Sequence, residues 1–447
     1  MSNKEFESVA WNRFTQAISL AFLLSTTAHA QTAGEYLDKA RLEANLLQNT
    51  TDRTVYACER DQRAKCIDEA KRAAREARRS LYAIDRAIEV NAVEPPHHPP
   101  VEPPVTTYPK VGDVLPVASG VNVPALLKPN TIPPVNSGDV VGAFRFLCGP
   151  GQLSYDDPIV YPGKPGAAHL HQFFGNKSAD ANSTYASLRA SGESTCQNEL
   201  NRSAYWMPAM LDGKGSVVRP DLVQVYYKRR AANDPACKTS AKGCVGIPRG
   251  LRFIFGWDQT RPAEPQPENA VHTAFKCVDV WTPVTANFKD MVEPMKVCKP
   301  GQHLYASLSS PPCWNGVDLG TPDHRSHLAD MKRDDSTNWL EQCPASHPYL
   351  IPQFTMTTAY RIEAGDSPTL WTLASDHMLP ASLRRPGASF HSDYFEAWEE
   401  PIRLRWEAAC IGKMLNCSDG DLGDGQIMAR GPHYPAFKAS PRLVPVP

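Results

Sequence analysis

Several marks of common enzyme classes are missing from this chain. Its 47 basic and 48 acidic side chains leave a net charge of −1, so there is no cationic surplus to neutralise a phosphate backbone. Nucleic acid is therefore excluded as the expected partner. No glycine-rich phosphate loop and no Gly-x-Ser-x-Gly turn occurs, which sets nucleotide enzymes and ordinary serine hydrolases aside. No Cys-x-x-Cys pair is present, so a thiolate zinc site is not expected. Beyond the first thirty residues no apolar run approaches the roughly 20 residues that span a bilayer, and no transmembrane segment is expected. Long amphipathic helices do not alternate with strands, and no internal repeat is visible.

What is present points to export. Lys4 and Arg13 precede the apolar run Ala17 to Leu24, and Ala28-His29-Ala30 offers a small-residue cleavage site, so residues 1–30 read as a secretory signal peptide. Twelve cysteines, an even number, then read first as disulfides in an oxidising compartment, with Cys237–Cys244 and Cys410–Cys417 each closing a small loop. From 31 to 92 the composition is helical. Leu37, Ala40, Ala44 and Leu47 form one apolar stripe, and Ile67, Ala70, Ala74, Ala77, Leu81 and Ile84 form another, which suggests a helical hairpin or a bent helix. Cys58 and Cys66 would lie about 12 Å apart on a continuous helix, too far for a disulfide, so either the helix breaks or each pairs elsewhere. Residues 93–139, with four Pro-Pro steps, read as a semi-rigid proline-rich linker; its paired His97 and His98 could hold a metal but read first as a solvated pair.

From 140 to 447 the apolar runs are short, rich in β-branched and aromatic residues, and bounded by Pro, Gly or Asp. Val140 to Leu147, Leu222 to Tyr227, Leu251 to Phe255 and Leu350 to Thr355 are the clearest. The expected fold is a β-rich α+β class: one large disulfide-stabilised domain with long loops, preceded by the helical segment.

Two histidine-rich stretches carry the candidate chemistry. On a strand, His169 and His171 share a face, which suits a metal chelate or two hydrogen bonds to one substrate, although a transition metal wants a third or fourth ligand. In Asp323-His324-Arg325-Ser326-His327 the two imidazoles are neighbours on a helical turn, and Asp323 is placed to orient one of them, as general acid or base work also requires. His347, and His391 with Asp393, complete the set, and convergence of all these groups in one cleft is the sharpest expectation. Asp156 and Asp157 cannot both face one cleft from a strand, so a glycosidase-like carboxyl pair needs a distant partner such as Asp323 or Asp393.

The same residues carry a resemblance. Asp157-Pro158-Ile159-Val160 with Pro162-Gly163 and His169-Leu170-His171-Gln172-Phe173-Phe174-Gly175 is similar to the opening of the DUF1996 domain, a secreted family without an assigned function. The later segments Ala204 to Pro208, Pro248 to Arg252, Phe275 to Cys277, Cys313 to Gly316, Asp323 to His327, Cys343-Pro344 with His347-Pro348, and His391 to Phe395 with Trp398 follow in the family's order, covering about 140 to 412. Asp156, Asp330 and Ala397 stand where the family pattern leads one to expect Arg, Tyr and Gly, and the first two change charge beside the site. The resemblance implies an extracellular or periplasmic domain with a polysaccharide or cell-envelope glycan as partner, since some members are joined to small carbohydrate-binding modules. The expected function is then a carbohydrate-active hydrolase or lyase. His169, His171, Asp157, Asp323, His324, His327, His347, His391 and Asp393 supply its catalytic set, and Tyr205, Trp206, Trp314 and Trp398 are the sugar-stacking platforms. The alternative is a non-catalytic polysaccharide-binding or metal-binding domain. The sequence assigns no metal, cofactor or oligomeric state.

Overall fold

Among the described residues the strands form six sheets; the two largest, both antiparallel, build the core, and the alternation expected of half-buried strands is realised in the larger of them. A computed structural model describes residues 108–447 apart from 137–139, 236, 238–241, 263–265, 267–271, 334–340 and 436–437. The chain divides into two units, Met1–Thr106 and Thr107–Pro447. The expected signal peptide and helical segment, with Cys58, Cys66, His97 and His98, lie outside the described residues.

The larger sheet has six strands in the order Thr282–Pro283, Ala274–Asp279, His303–Ser309, Gln353–Arg361, Leu222–Arg229 and Gly142–Cys148. In Leu222–Arg229 burial alternates, with Val223, Val225 and Tyr227 inward and Gln224, Tyr226 and Lys228 outward, as a strand with one face on a core requires. The second sheet has five strands, ordered Arg252–Gly256, His391–Phe395, Ala204–Pro208, His171–Gly175 and Leu153–Ser154. The sheets meet face to face through aromatics: Phe354 of the first stacks on Tyr205 and Tyr394 of the second, with ring centroids 5.6 and 4.7 Å apart. This is the sandwich solution for two sheets that each have an apolar face.

The five-stranded sheet is buried on both sides. His171–Gly175, Ala204–Pro208 and His391–Phe395 contain only buried residues. One face feeds Phe174, Tyr205, Met207, Phe253 and Tyr394 into the main core, while Phe173, Trp206, Ile254 and Phe395 on the other face pack beneath Ile159, Tyr185 and Leu188. The residues of functional interest lie on this second face.

The domain is β-rich with short helices, among them Tyr185–Ala190 and Glu400–Trp406. It is clasped by five disulfides, Cys148–Cys196, Cys237–Cys244, Cys277–Cys298, Cys313–Cys343 and Cys410–Cys417, and no cysteine among the described residues is free. Among the described residues no helix is long and apolar enough to cross a membrane. Residues 108–136, which fall inside the expected 93–139 linker, pack on the domain instead. Leu127–Pro129 pairs antiparallel with Gln426–Met428, and Val114, Val123, Leu126 and Leu127 lie against the core. Proline blocks only its own donor, so a proline-rich stretch still makes an edge strand when its apolar neighbours find a surface.

Candidate metal centre

Three imidazoles meet on the outer face of the five-stranded sheet. His171 opens one strand and His391 opens another, while His169 arrives from the loop preceding His171. The ring centroids of His169 and His171 are 4.2 Å apart, those of His169 and His391 5.1 Å, and those of His171 and His391 6.2 Å. One ring nitrogen from each lies within 4.8 Å of the other two, and no fourth His, Cys, Asp or Glu among the described residues joins them. Gly256, the cross-strand partner of His391, makes this approach feasible. Its φ is +91°, and a Cβ there would sit 2.9 Å from the His391 Cα and 2.7 Å from the Phe390 carbonyl oxygen.

The backbone sets the tautomers. His171 Nδ1 donates to the Asp156 carbonyl at 3.1 Å, and His391 Nδ1 donates to the Ser389 carbonyl at 2.8 Å. A carbonyl only accepts, so Nδ1 carries the proton in both rings and Nε2 keeps its lone pair. Asp376 holds the turn behind His391: its carboxylate accepts the backbone N–H groups of Leu373, Gly387 and Ser389 and the Ser389 hydroxyl. The Nε2 atoms of His169 and His171 are buried with no hydrogen-bond partner.

The electrostatics keep these rings neutral. Burial, then the neighbouring imidazoles of His171, His391 and His377, hold His169 far below its ordinary value. Burial lowers His171 against the opposing pull of the Asp157 carboxylate, and burial with the nearby His171 brings His391 to about 3. Asp393, two residues beyond His391 on the same strand, is 0 % exposed, and neither of its carboxyl oxygens has a partner. Burial, reinforced by Asp157, raises it well above the usual carboxylate range, against the opposing charge of Arg325. Asp157 is itself buried, its Oδ1 accepting the backbone N–H groups of Ile159 and Val160.

The other candidates are engaged elsewhere. His327 is fully buried, with Nε2 3.0 Å from the Arg252 carbonyl and Nδ1 3.0 Å from the Thr321 hydroxyl. His347 donates from Nε2 to the Ser326 carbonyl at 2.8 Å, with Nδ1 beside the Ser346 hydroxyl. Asp323 caps its own turn, accepting from the backbone N–H groups of Arg325 and Ser326 and from the Thr321 and Ser326 hydroxyls. Burial opposes its ionisation, but these bonds together bring it down to about 2. His324, at φ +58°, lies edge-on to Tyr108, and burial lowers its pKa against the opposing pull of the Asp157 carboxylate. Tyr205, Trp206 and Trp398 are 0 % exposed and Trp314 is 7 % exposed, so these rings are core and present no open face to a sugar.

These residues lie within a segment of known kinship. Residues 157–398 match the family model described as a domain of unknown function, DUF1996. The chain belongs to the DUF1996 family. Neither the curated proteins nor the solved structures give a match. All three imidazoles and Asp393 fall inside the matched DUF1996 span. Around them the DUF1996 domain places further groups. Trp257 has its ring centroid 5.9 Å from that of His391. Arg325 donates to the carbonyls of Gly256 and Trp257. A pocket of about 180 Å³ beside His169 is lined by Tyr155, Leu170, Leu211, Ala374, His377 and Val446. The run Ser375-Asp376-His377 could have drawn notice as an Asp-His pair, whereas Arg325 belongs to the second histidine stretch and Trp257 is one of the aromatics that the sequence offers for sugar stacking. A larger cleft of about 510 Å³, bordered by Lys177, Arg219 and His433, holds none of the candidate residues.

Proposed function

We propose that this protein is a secreted metalloenzyme whose catalytic ion is a divalent transition metal held by His169, His171 and His391. Its reaction on this reading is hydrolysis or elimination on a glycan or other cell-envelope carbohydrate. The observation that carries the reading is the convergence of three neutral imidazoles, with ligand atoms within 4.8 Å of one another, two of them held in the required tautomer by backbone carbonyls. Imidazole suits zinc, copper, iron and nickel. Structural zinc sites close with four protein ligands, whereas catalytic sites keep three and leave a position for water or substrate. Here three are present. A metal in that position would acidify its bound water and polarise a substrate oxygen.

The pocket beside His169 limits what arrives. At about 180 Å³ it is smaller than the roughly 300–1,000 Å³ of ordinary small-molecule sites, which favours a small group or one end of a longer molecule. The carbohydrate part of the reading rests on the family resemblance, and secretion on the leader and the disulfides.

Metal analysis of the purified protein, followed by product release from a panel of polysaccharides with and without chelator, tests the reading. We expect about one equivalent of metal and chelator-sensitive turnover. A protein that takes up neither zinc, copper nor nickel would sink the centre, and metal uptake without turnover would reduce it to a binding domain.

A further inference from the structure

Beside the three imidazoles, the outer face of the five-stranded sheet buries polar atoms with nothing to bond. Both carboxyl oxygens of Asp393 and the indole N–H groups of Trp206 and Trp257 have no partner. Their carriers are 0 %, 0 % and 2 % exposed. Asp393 and His391 lie two apart on one strand, so both side chains leave the same face about 7 Å apart. Trp206 is the cross-strand partner of Asp393, and the Trp257 ring lies 5.9 Å from that of His391.

Arg325 is the natural counter-ion for Asp393, but its guanidinium is committed elsewhere. It donates to the carbonyls of Gly256 and Trp257, and its Nε lies 4.0 Å from Asp258. Buried carboxyl and N–H groups left unbonded are costly and rare in native folds unless something completes them. The orphans are complementary: indole N–H groups need an acceptor, and carboxyl oxygens need a donor. Water and hydroxyl groups supply both.

We infer that Asp393 anchors a water at the open position of the three-histidine centre, with the Trp257 indole N–H as the complementary donor to the same oxygen. The inference rests on the metal reading above and gives the centre a chemical preference. Oxygen ligands that both donate and accept are favoured over anions that only accept. A substrate hydroxyl entering in place of that water meets the same two partners.

The test uses the full-length protein loaded with Co(II), whose visible band reports ligand exchange, titrated with azide. Azide accepts but does not donate. Removing the anchor in Asp393→Leu should let azide displace the water more readily, lowering its dissociation constant about three- to ten-fold, with Co(II) affinity within about three-fold of the parent. Asp393→Asn, which keeps the shape, should fall between. A structure of the parent protein with Zn(II) bound, which needs no variant, should show a metal-bound water about 2.6–3.2 Å from an Asp393 oxygen. Unchanged azide affinity in both variants, or a bound water that does not touch Asp393, overturns the inference while leaving the metal centre standing. Failure to bind Co(II) or Zn(II) overturns both.

Discussion

The two histidine-bearing regions use the same side chain in opposite ways. Around His327 and His347 each imidazole nitrogen already faces a partner within the protein, and Asp323 gathers four donors into a single turn. At the three-histidine cluster the His171 and His391 rings are tied to backbone carbonyls, and Nε2 of His169 and of His171 is left buried with nothing to bond. Satisfied histidines are struts, whereas an unsatisfied cluster stores ligand-binding capacity at the expense of apo stability. On the metal reading proposed above, unmet lone pairs rather than histidine density mark the site.

The largest expected effect separates the two regions directly. His391→Ala or His171→Ala should weaken Zn(II) binding at least about 100-fold, since one of three ligands is lost, with a smaller loss of apo stability than His327→Ala, because each gives up one backbone hydrogen bond and takes a ring out of a crowded, partly unbonded cluster. His327→Ala should do the reverse. Metal affinity stays within about two-fold, while stability falls by about 2–4 kcal/mol through the lost hydrogen bonds and the cavity left behind. Calorimetric titration with Zn(II) and urea unfolding of the three variants measure both quantities. Loss of metal binding in His327→Ala would erase the distinction.

Proton binding sharpens the same contrast in the apo protein. Burial holds His327 at about 4 in the fold against an ordinary 6.5. Between those values the unfolded chain takes up a proton that the folded chain refuses. Stability is therefore complete above about 6.5, declines as pH falls and levels off below about 4, a loss of about 3 kcal/mol from this group. His391, brought to about 3, adds in the same direction. Urea midpoints at pH 7 and pH 4.5 should differ less in His327→Gln than in the parent; an equal difference would show that His327 is not the group responsible.

Much of the scaffold was legible because two-residue periodicity is a local property. The runs Val140 to Leu147 and Leu222 to Tyr227 became Gly142–Cys148 and Leu222–Arg229. Leu350 to Thr355 divided into Tyr349–Leu350 and Gln353–Arg361, with Pro352 between them at the break. The site was legible only in part. His169-Leu170-His171 announces itself, although His169 stands before the strand rather than on it. The partnership with His391 depends on sheet order, which places His391–Phe395 beside Ala204–Pro208 and His171–Gly175 beyond that, and no spacing in the chain encodes it. The packing of residues 108–136 was hidden for a related reason, because proline content reports missing donors and not where neighbouring apolar side chains find a surface.

A smaller effect tests how the backbone shapes the unsatisfied cluster. Gly256→Ala places a Cβ 2.9 Å from the His391 Cα and 2.6 Å from Leu308 Cδ2, on a backbone at φ +91°. Leu308 can shift, but the His391 backbone must move with its strand. Zn(II) affinity should fall about 10- to 100-fold with all three ligands still present. An unchanged affinity would mean that the centre tolerates displacement of the strand carrying His391.

The smallest effect comes from the strut nearest the surface. His347 is only half-buried, and its bond to the Ser326 carbonyl links the loop after Cys343 to the turn that Asp323 caps. The disulfide Cys313–Cys343 already ties that loop to the strand Cys313–Trp314, so losing the imidazole frees little chain. His347→Ala should therefore cost about 1 kcal/mol, the net worth of one partly exposed hydrogen bond, and leave Zn(II) affinity unchanged. Urea unfolding under oxidising and reducing conditions separates the two restraints. Once the disulfide is reduced, the hydrogen bond is the remaining tie and the penalty for His347→Ala should grow. A penalty that stays the same after reduction would mean that the imidazole and the disulfide hold independent parts of the fold, and His347 would then be a local loop contact rather than a strut of the second region.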